Sequence, residues 1–181
     1  MSSTNRGAIR HDADFYRTPE RSVHALLDRV DLSDRNFGQW LEPAVGDGAI
    51  IKAFDSHSSD LDPRWLSLDI HDRGMSEFST FTQQDYLSYV PAAPVEVIIT
   101  NPPFGIAQDF VSHSLSIANG AVVIMLLRLG FLGSKKRRDW WQGKEPDALY
   151  VLSERPTGRG GDSCDYAWYC WNWDERGIFV I

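Results

Sequence analysis

Apolar positions along the chain fall into two patterns: short runs, and stretches in which apolar residues recur every three or four positions. The runs, at 39–42, 65–70, 81–86, 95–100, 121–127, 148–152 and 166–173, predict strands. The clearest is Val95-Glu96-Val97-Ile98-Ile99-Thr100, β-branched and largely apolar, as a strand covered on both faces should be. The periodic stretches predict helices. Thr18 can cap the first, Pro19 suits its first helical position, and Val23, Leu26, Leu27 and Val30 repeat on one face. A second follows Gly46-Asp47-Gly48 and carries Ile50, Ile51 and Phe54; a third carries Ile106, Phe110, Val111 and Leu115, and Asn119-Gly120 closes it. Residues 1–14 lack apolar periodicity and predict a flexible tail, with the folded domain at 15–181.

Strands alternating with helices across short connectors predict an α/β chain built on a doubly wound sheet, which binds its ligand beyond the carboxyl ends of the strands. Glu42, Gly46, Gly48, Asp69, Asp85 and Asn101 each follow an apolar run, so this fold brings them to one rim.

Composition narrows the function. With 181 residues, 43% of them hydrophobic, the chain can bury one core. No stretch approaches the roughly 18 consecutive apolar residues of a membrane span, which makes the cytoplasm the expected location. Cys164 and Cys170 lie along one strand and its lead-in, where side-chain alternation disfavours a bond between them. The five histidines are scattered singly, and no metal site is expected. A net charge of −7 opposes a broad grip on phosphates, so any contact with nucleic acid must be local. Lys135-Lys136-Arg137-Arg138, followed by Trp140 and Trp141, can be such a contact, or a solvated helix face whose indoles pack inward.

Several rim residues have chemistry of their own. Gly46 and Gly48 permit a tight turn and close backbone approach to a ligand, while Ile51 stands where a dinucleotide fingerprint has its third glycine. Asp69 can accept hydrogen bonds from a ribose diol or cap a helix; Asp85 can accept from an adenine amino group or do the same. Asn101-Pro102-Pro103-Phe104 is the most informative element. Two prolines stiffen the loop by fixing φ and removing N–H donors. The Asn101 side-chain oxygen and the Pro102 carbonyl can both accept from one NH2 group, favouring a pyramidal nitrogen, while Phe104 stacks on the ring that bears it. A base reaches such a pocket only when extruded from a duplex or already single-stranded.

With these residues in place, the chain resembles the N6-adenine methyltransferases of the AdoMet-dependent, Rossmann-like superfamily, in particular the short phage type. Phe15-Tyr16-Arg17-Thr18-Pro19 is similar to the family's N-terminal cofactor element, Glu42-Pro43-Ala44-Val45-Gly46-Asp47-Gly48 to its cofactor loop, and Asn101 to Phe104 to its catalytic tetrapeptide. Leu126-Leu127-Arg128 with Phe131-Leu132, Arg155-Pro156 and Tyr166-Ala167-Trp168-Tyr169 resemble later elements of the short type. The resemblance implies a mostly parallel seven-stranded sheet with one antiparallel C-terminal strand and a small recognition insertion around 133–147. It implies S-adenosylmethionine (AdoMet) as cofactor, held by Tyr16, Thr18, Pro19, Glu42, Ala44, Gly46, Gly48, Asp69, Asp85 and Asn101. Asn101, Pro102 and Phe104 would be catalytic, and Pro103, Phe104, Lys135, Lys136, Arg137, Arg138 and Trp140 would meet the substrate. That substrate would be adenine in DNA; RNA adenine, a protein glutamine, or a noncatalytic AdoMet-binding module are the alternatives. A phage origin would place the protein in the host cytoplasm.

Overall fold

The computed structural model describes residues 16–57, 61–76, 80–156 and 163–181. The expected tail at 1–14 and the glycine-rich stretch at 158–161 lie outside them. Eight strands, β1 (Gln39–Glu42), β2 (Arg64–Asp69), β3 (Phe81–Gln83), β4 (Val97–Thr100), β5 (Val122–Arg128), β6 (Ala148–Val151), β7 (Tyr166–Trp171) and β8 (Gly177–Val180), form one sheet. Their order is β3-β2-β1-β4-β5-β7-β6-β8. The helices are α1 (Glu20–Leu27), α2 (Ala49–Ser56), α3 (Ala107–Ile117) and the single turn α4 (Arg138–Trp141).

The unbroken apolar runs follow from burial on both faces. Along β5, Val122, Ile124 and Leu126 join the core beneath α1 and α2, while Val123, Met125 and Leu127 join the core beneath α3. Along β7, Tyr166, Trp168 and Cys170 face the first core and Ala167, Tyr169 and Trp171 the second. Alternate residues of a strand point to opposite faces, so a strand between two helix layers has no solvent side. Cys170 is buried and Cys164 half-buried, and neither forms a disulfide.

The structure corrects the strand count. The sheet is mostly parallel, and β7 alone opposes its neighbours, but the chain does not end there. A final strand, β8, pairs parallel with β6, from Ala148↔Gly177 to Val151↔Val180. Two helix and strand ends differ as well. The run 81–86 stops pairing at Gln83, because the Asp85 carboxylate accepts the Leu87 N–H (3.0 Å) and turns the chain into a 3-10 turn. Pro19 occupies the cap position of α1 in an extended conformation rather than the first helical one, and the Thr18 hydroxyl does not cap the helix.

In a parallel sheet the carboxyl ends of β1, β2 and β4 share one rim. That rim holds Glu42, Asp69 and the Asn101 loop. None of the helices among the described residues is long and apolar enough to cross a membrane.

Candidate active site

A cleft of about 200 Å³ opens at this rim. Of the residues expected to hold a cofactor, Tyr16, Thr18, Glu42, Ala44, Asp69, Asp85 and Asn101 line it; Pro19, Gly46 and Gly48 do not. The glycines act one step back. Gly48 has φ +76°, a conformation that favours glycine at this turn, and a Cβ there would sit 2.9 Å from the Met75 sulfur. The Gly46 N–H donates to Asp69 Oδ2 (2.9 Å), which ties the loop after β1 to the tip of β2. Asp69 Oδ1 accepts the His71 N–H (2.9 Å), so both oxygens already carry one backbone bond and retain lone pairs for a further donor. Asp85 takes one of the two roles weighed for it, capping a turn, and also lines the cleft.

Glu42 has the least ordinary environment. It is 1% exposed, and neither carboxylate oxygen has a hydrogen-bond partner. Burial pushes its carboxyl well above the usual range; the nearby Thr100 hydroxyl acts in the opposite sense, and the Asp69 carboxylate adds to the rise. The Thr100 hydroxyl itself makes no hydrogen bond. Asp47 Oδ1 is likewise buried without a partner, while Asp47 Oδ2 pairs with Arg17 (3.0 Å). Buried polar atoms are nearly always satisfied, so a group of unsatisfied acceptors around one cleft marks the place where a donor-bearing ligand belongs.

The Asn101 amide is held from one side only. Its Nδ2 donates to the Tyr16 carbonyl (2.9 Å) and to Thr18 Oγ1 (3.1 Å). The Tyr16 carbonyl can only accept, so the amide nitrogen must face the N-terminal strap and the oxygen the opposite way. Asn101 Oδ1 is buried and unpartnered. The strap is in turn fastened to the β1 loop by the Arg17–Asp47 pair. Pro102 is buried and Pro103 lines the cleft, with the Pro103 carbonyl accepting from the Ile106 N–H (3.1 Å). Tyr16 packs against Phe104 at a ring separation of 5.1 Å, and Tyr166 does so at 5.7 Å.

Not all the substrate-side candidates gather here. Lys135, Lys136 and Arg138 are exposed on the turns before and within α4. Arg137 instead folds inward, donating from Nε to the Phe131 carbonyl (2.9 Å) with its guanidinium over the Phe131 ring. Trp140 is half-buried; its Nε1 donates to Ser112 Oγ in α3 (2.9 Å) and its ring packs edge-on to Phe131 and Trp141. The arrangement is the inward packing of the indoles, with three of the four cations left in solvent. Sequence reasoning missed Asp47, Ile70 and Ile106 as lining residues. Ile70 and Ile106 are large, apolar and 51% and 41% exposed, and both border the cleft. An apolar residue directly after Asp69 was the available signal. Among the described residues, no group of three or more His, Cys, Asp or Glu is placed to hold a metal ion.

No family model and no curated protein matches the chain by sequence. Solved structures match it by fold. A protein assigned as a class I S-adenosylmethionine-dependent methyltransferase from Listeria monocytogenes aligns with TM-score 0.67 and 16% identity, over 89% of this chain and 62% of its own. A type I restriction-modification methyltransferase subunit from Streptococcus thermophilus aligns with TM-score 0.64 and 12% identity, over 93% of this chain and 47% of its own. A protein assigned as an RNA methyltransferase from Pyrococcus horikoshii aligns with TM-score 0.62 and 15% identity, over 87% of this chain and 84% of its own. The chain thus spans less than two thirds of the first two. It has the fold of these methyltransferases, the mixed α/β sheet of the Rossmann-like class.

Proposed function

We propose that the chain is an AdoMet-dependent methyltransferase that acts on N6 of adenine in DNA, with the adenine extruded into the site. The observation that carries this reading is the Asn101 amide: its nitrogen is fixed by the strap and its buried oxygen has no partner.

The residues present suit AdoMet. Glu42 and Asp47 offer unsatisfied acceptors for an ammonium group, Asp69 offers lone pairs to a ribose diol, and Asp85 offers an acceptor to an adenine amino group. Ile70 and Ile106 supply apolar walls for a flat ring. When bound, AdoMet would supply a methyl group on an electrophilic sulfonium. The chain's own residues handle the other reactant. An amino nitrogen on an aromatic ring is a poor nucleophile because its lone pair is delocalised. Asn101 Oδ1 and the Pro102 carbonyl can each accept one of its N–H bonds, which draws the nitrogen out of the ring plane and localises the lone pair. Proline rigidity fixes these acceptors before substrate arrives, so no reorganisation accompanies the reaction. No residue needs to act as a covalent nucleophile.

The test is to supply labelled AdoMet with DNA and with RNA, digest both to nucleosides and identify the product. N6-methyladenosine from RNA alone would move the assignment to the RNA alternative. Label recovered only in protein would move it to glutamine. AdoMet binding by calorimetry without transfer to any of these would leave a noncatalytic AdoMet-binding module, and no binding by the folded chain would overturn the methyl-transfer reading.

A further inference from the structure

The Asn101–Phe104 loop separates two cavities. Asn101 and Pro103 line the cleft described above; Phe104 lines a second of about 450 Å³, together with Leu127, Arg128, Phe131, Arg137 and Asp165. Arg128 ends β5 on the same rim, three residues beyond Met125, the partner of Thr100 in the ladder. Its guanidinium lies over the Phe104 ring, with Cζ 4.5 Å from the centroid. Its Nε donates to the Tyr166 hydroxyl (3.2 Å), and Tyr166 also touches Phe104. A planar cation thus covers a ring on which an extruded base would stack.

A guanidinium and a nucleobase are both flat and both favour the face of an aromatic ring, so one can replace the other there. The guanidinium is permanently charged, and its fork of donors matches phosphate. An extruded nucleotide brings a backbone phosphate with it. Arg137, bonded to the Phe131 and Gly130 carbonyls, is a second cation on the same wall, and Asp165 is bridged to Arg155 (2.9 Å).

We propose that Arg128 covers the stacking face of Phe104 until nucleic acid arrives, then yields that face to the extruded adenine and pairs with the phosphate beside it. The proposal rests on the methyl-transfer reading above and makes Arg128 a positioning residue for the substrate.

Three forms of the full chain, wild type, Arg128→Met and Arg128→Lys, are assayed for methyl transfer to DNA over a range of salt. Arg128→Met keeps the length and packing but not the charge. It is expected to raise KM for DNA by about tenfold and to reduce the slope of log affinity against log salt by about 0.9 on duplex, or about 0.7 on single strands. Arg128→Lys should restore most of the slope, and neither variant should change AdoMet affinity. An unchanged slope in Arg128→Met overturns the proposal and leaves the methyl-transfer reading intact. Equal losses in both variants, accompanied by a lowered Tm, also overturn it by making Arg128 a packing residue. If Arg128→Met does not fold, the wild-type chain decides: once the methylated adenine is mapped, a neutral methylphosphonate beside it should raise KM by about tenfold, and no effect from either flanking position overturns the proposal. A wild-type chain that transfers no methyl group to DNA or RNA fails the earlier reading, and this one with it.

Discussion

The two halves of the sheet treat most of their buried polar groups in opposite ways, Trp141 Nε1 beside the antiparallel half being the exception, buried with no partner. In the antiparallel half, Trp168 Nε1 donates to the Ser22 carbonyl (2.8 Å), Tyr169 Oη to the Arg128 carbonyl (3.1 Å), Trp171 Nε1 to the Lys144 carbonyl (2.8 Å), and Trp173 Nε1 to Tyr150 Oη (2.9 Å). At the rim of the parallel half, both oxygens of Glu42, the Thr100 hydroxyl, Asp47 Oδ1 and Asn101 Oδ1 are buried with no partner. An unsatisfied buried group costs about 1–3 kcal/mol, against a stability of roughly 5–15 kcal/mol for a whole domain. A fold tolerates several such groups in one place when something else completes them. On this contrast the aromatic half is the expected source of stability, and the acceptor-rich half is the proposed ligand site.

Removing the largest satisfied side chain of the first region should have the largest effect. Trp168 is fully buried, packs in the core beneath α1 and α2, and is bonded across to α1. Trp168→Ala should cost about 3–5 kcal/mol through the cavity and the lost indole bond to the Ser22 carbonyl. Denaturant unfolding would measure this; a loss under 1 kcal/mol would mean that the aromatic half is not the stabilising one.

Asn101→Ala should separate function from stability. Removing one preorganised polar group aimed at a reacting atom typically lowers turnover by about 10²–10³. Stability should change by only about 1 kcal/mol, for the lost bonds to Tyr16 and Thr18. Activity within threefold of wild type would remove the amide oxygen from the chemistry.

Glu42 gives the comparison a pH signature. Its carboxyl is raised above 4.5 in the folded chain, so the native state keeps a proton that the unfolded chain has released. Its contribution to stability is therefore greatest at low pH and declines as pH climbs from about 4.5 through the raised native value. Glu42→Leu should abolish that decline, stabilise the ligand-free chain by about 1–3 kcal/mol above the window, and eliminate AdoMet binding. Thermal melts across pH, with and without AdoMet, check both halves of this statement.

The contrast also sorts what could be read from the sequence. Strands β4, β5 and β7 were legible because burial on both faces leaves few polar positions, and the ends of β1, β2 and β4 were legible because Glu42, Asp69 and Asn101 interrupt apolar runs. β8 was not: Ile178 and Val180 are exposed, and only Phe179 packs inward, against Tyr150. Its pairing is set by the partner strand β6 rather than by its own pattern. Thr18 is a hydroxyl before a proline, an ordinary helix-capping signal, but the Asn101 amide 83 residues away claims that oxygen. Local propensity carries no information about such a distant partner. Arg128 was visible as a charge at the end of a strand and as part of an element resembling the short type, but with no role; its place over Phe104 depends on β7 returning antiparallel, which sets Tyr166 opposite it.

Tyr169 gives the smallest effect and joins the two regions. Its ring is fully buried in the aromatic half, burial pushes its hydroxyl well above the usual range, and that hydroxyl donates to the backbone carbonyl of Arg128. Tyr169→Phe removes one neutral hydrogen bond without changing the volume of the core, so the loss should be about 0.5–1.5 kcal/mol. If the hydroxyl does no more than satisfy the carbonyl, transfer activity should survive unchanged. If it fixes the backbone from which Arg128 reaches Phe104, KM for DNA should rise by a factor of about 2–5, within the roughly tenfold expected for Arg128→Met, while AdoMet affinity stays constant. A double variant tells the two apart: non-additive losses of KM in Tyr169→Phe combined with Arg128→Met mean that both act through one contact, and additive losses mean that the aromatic half supports the rim without directing it.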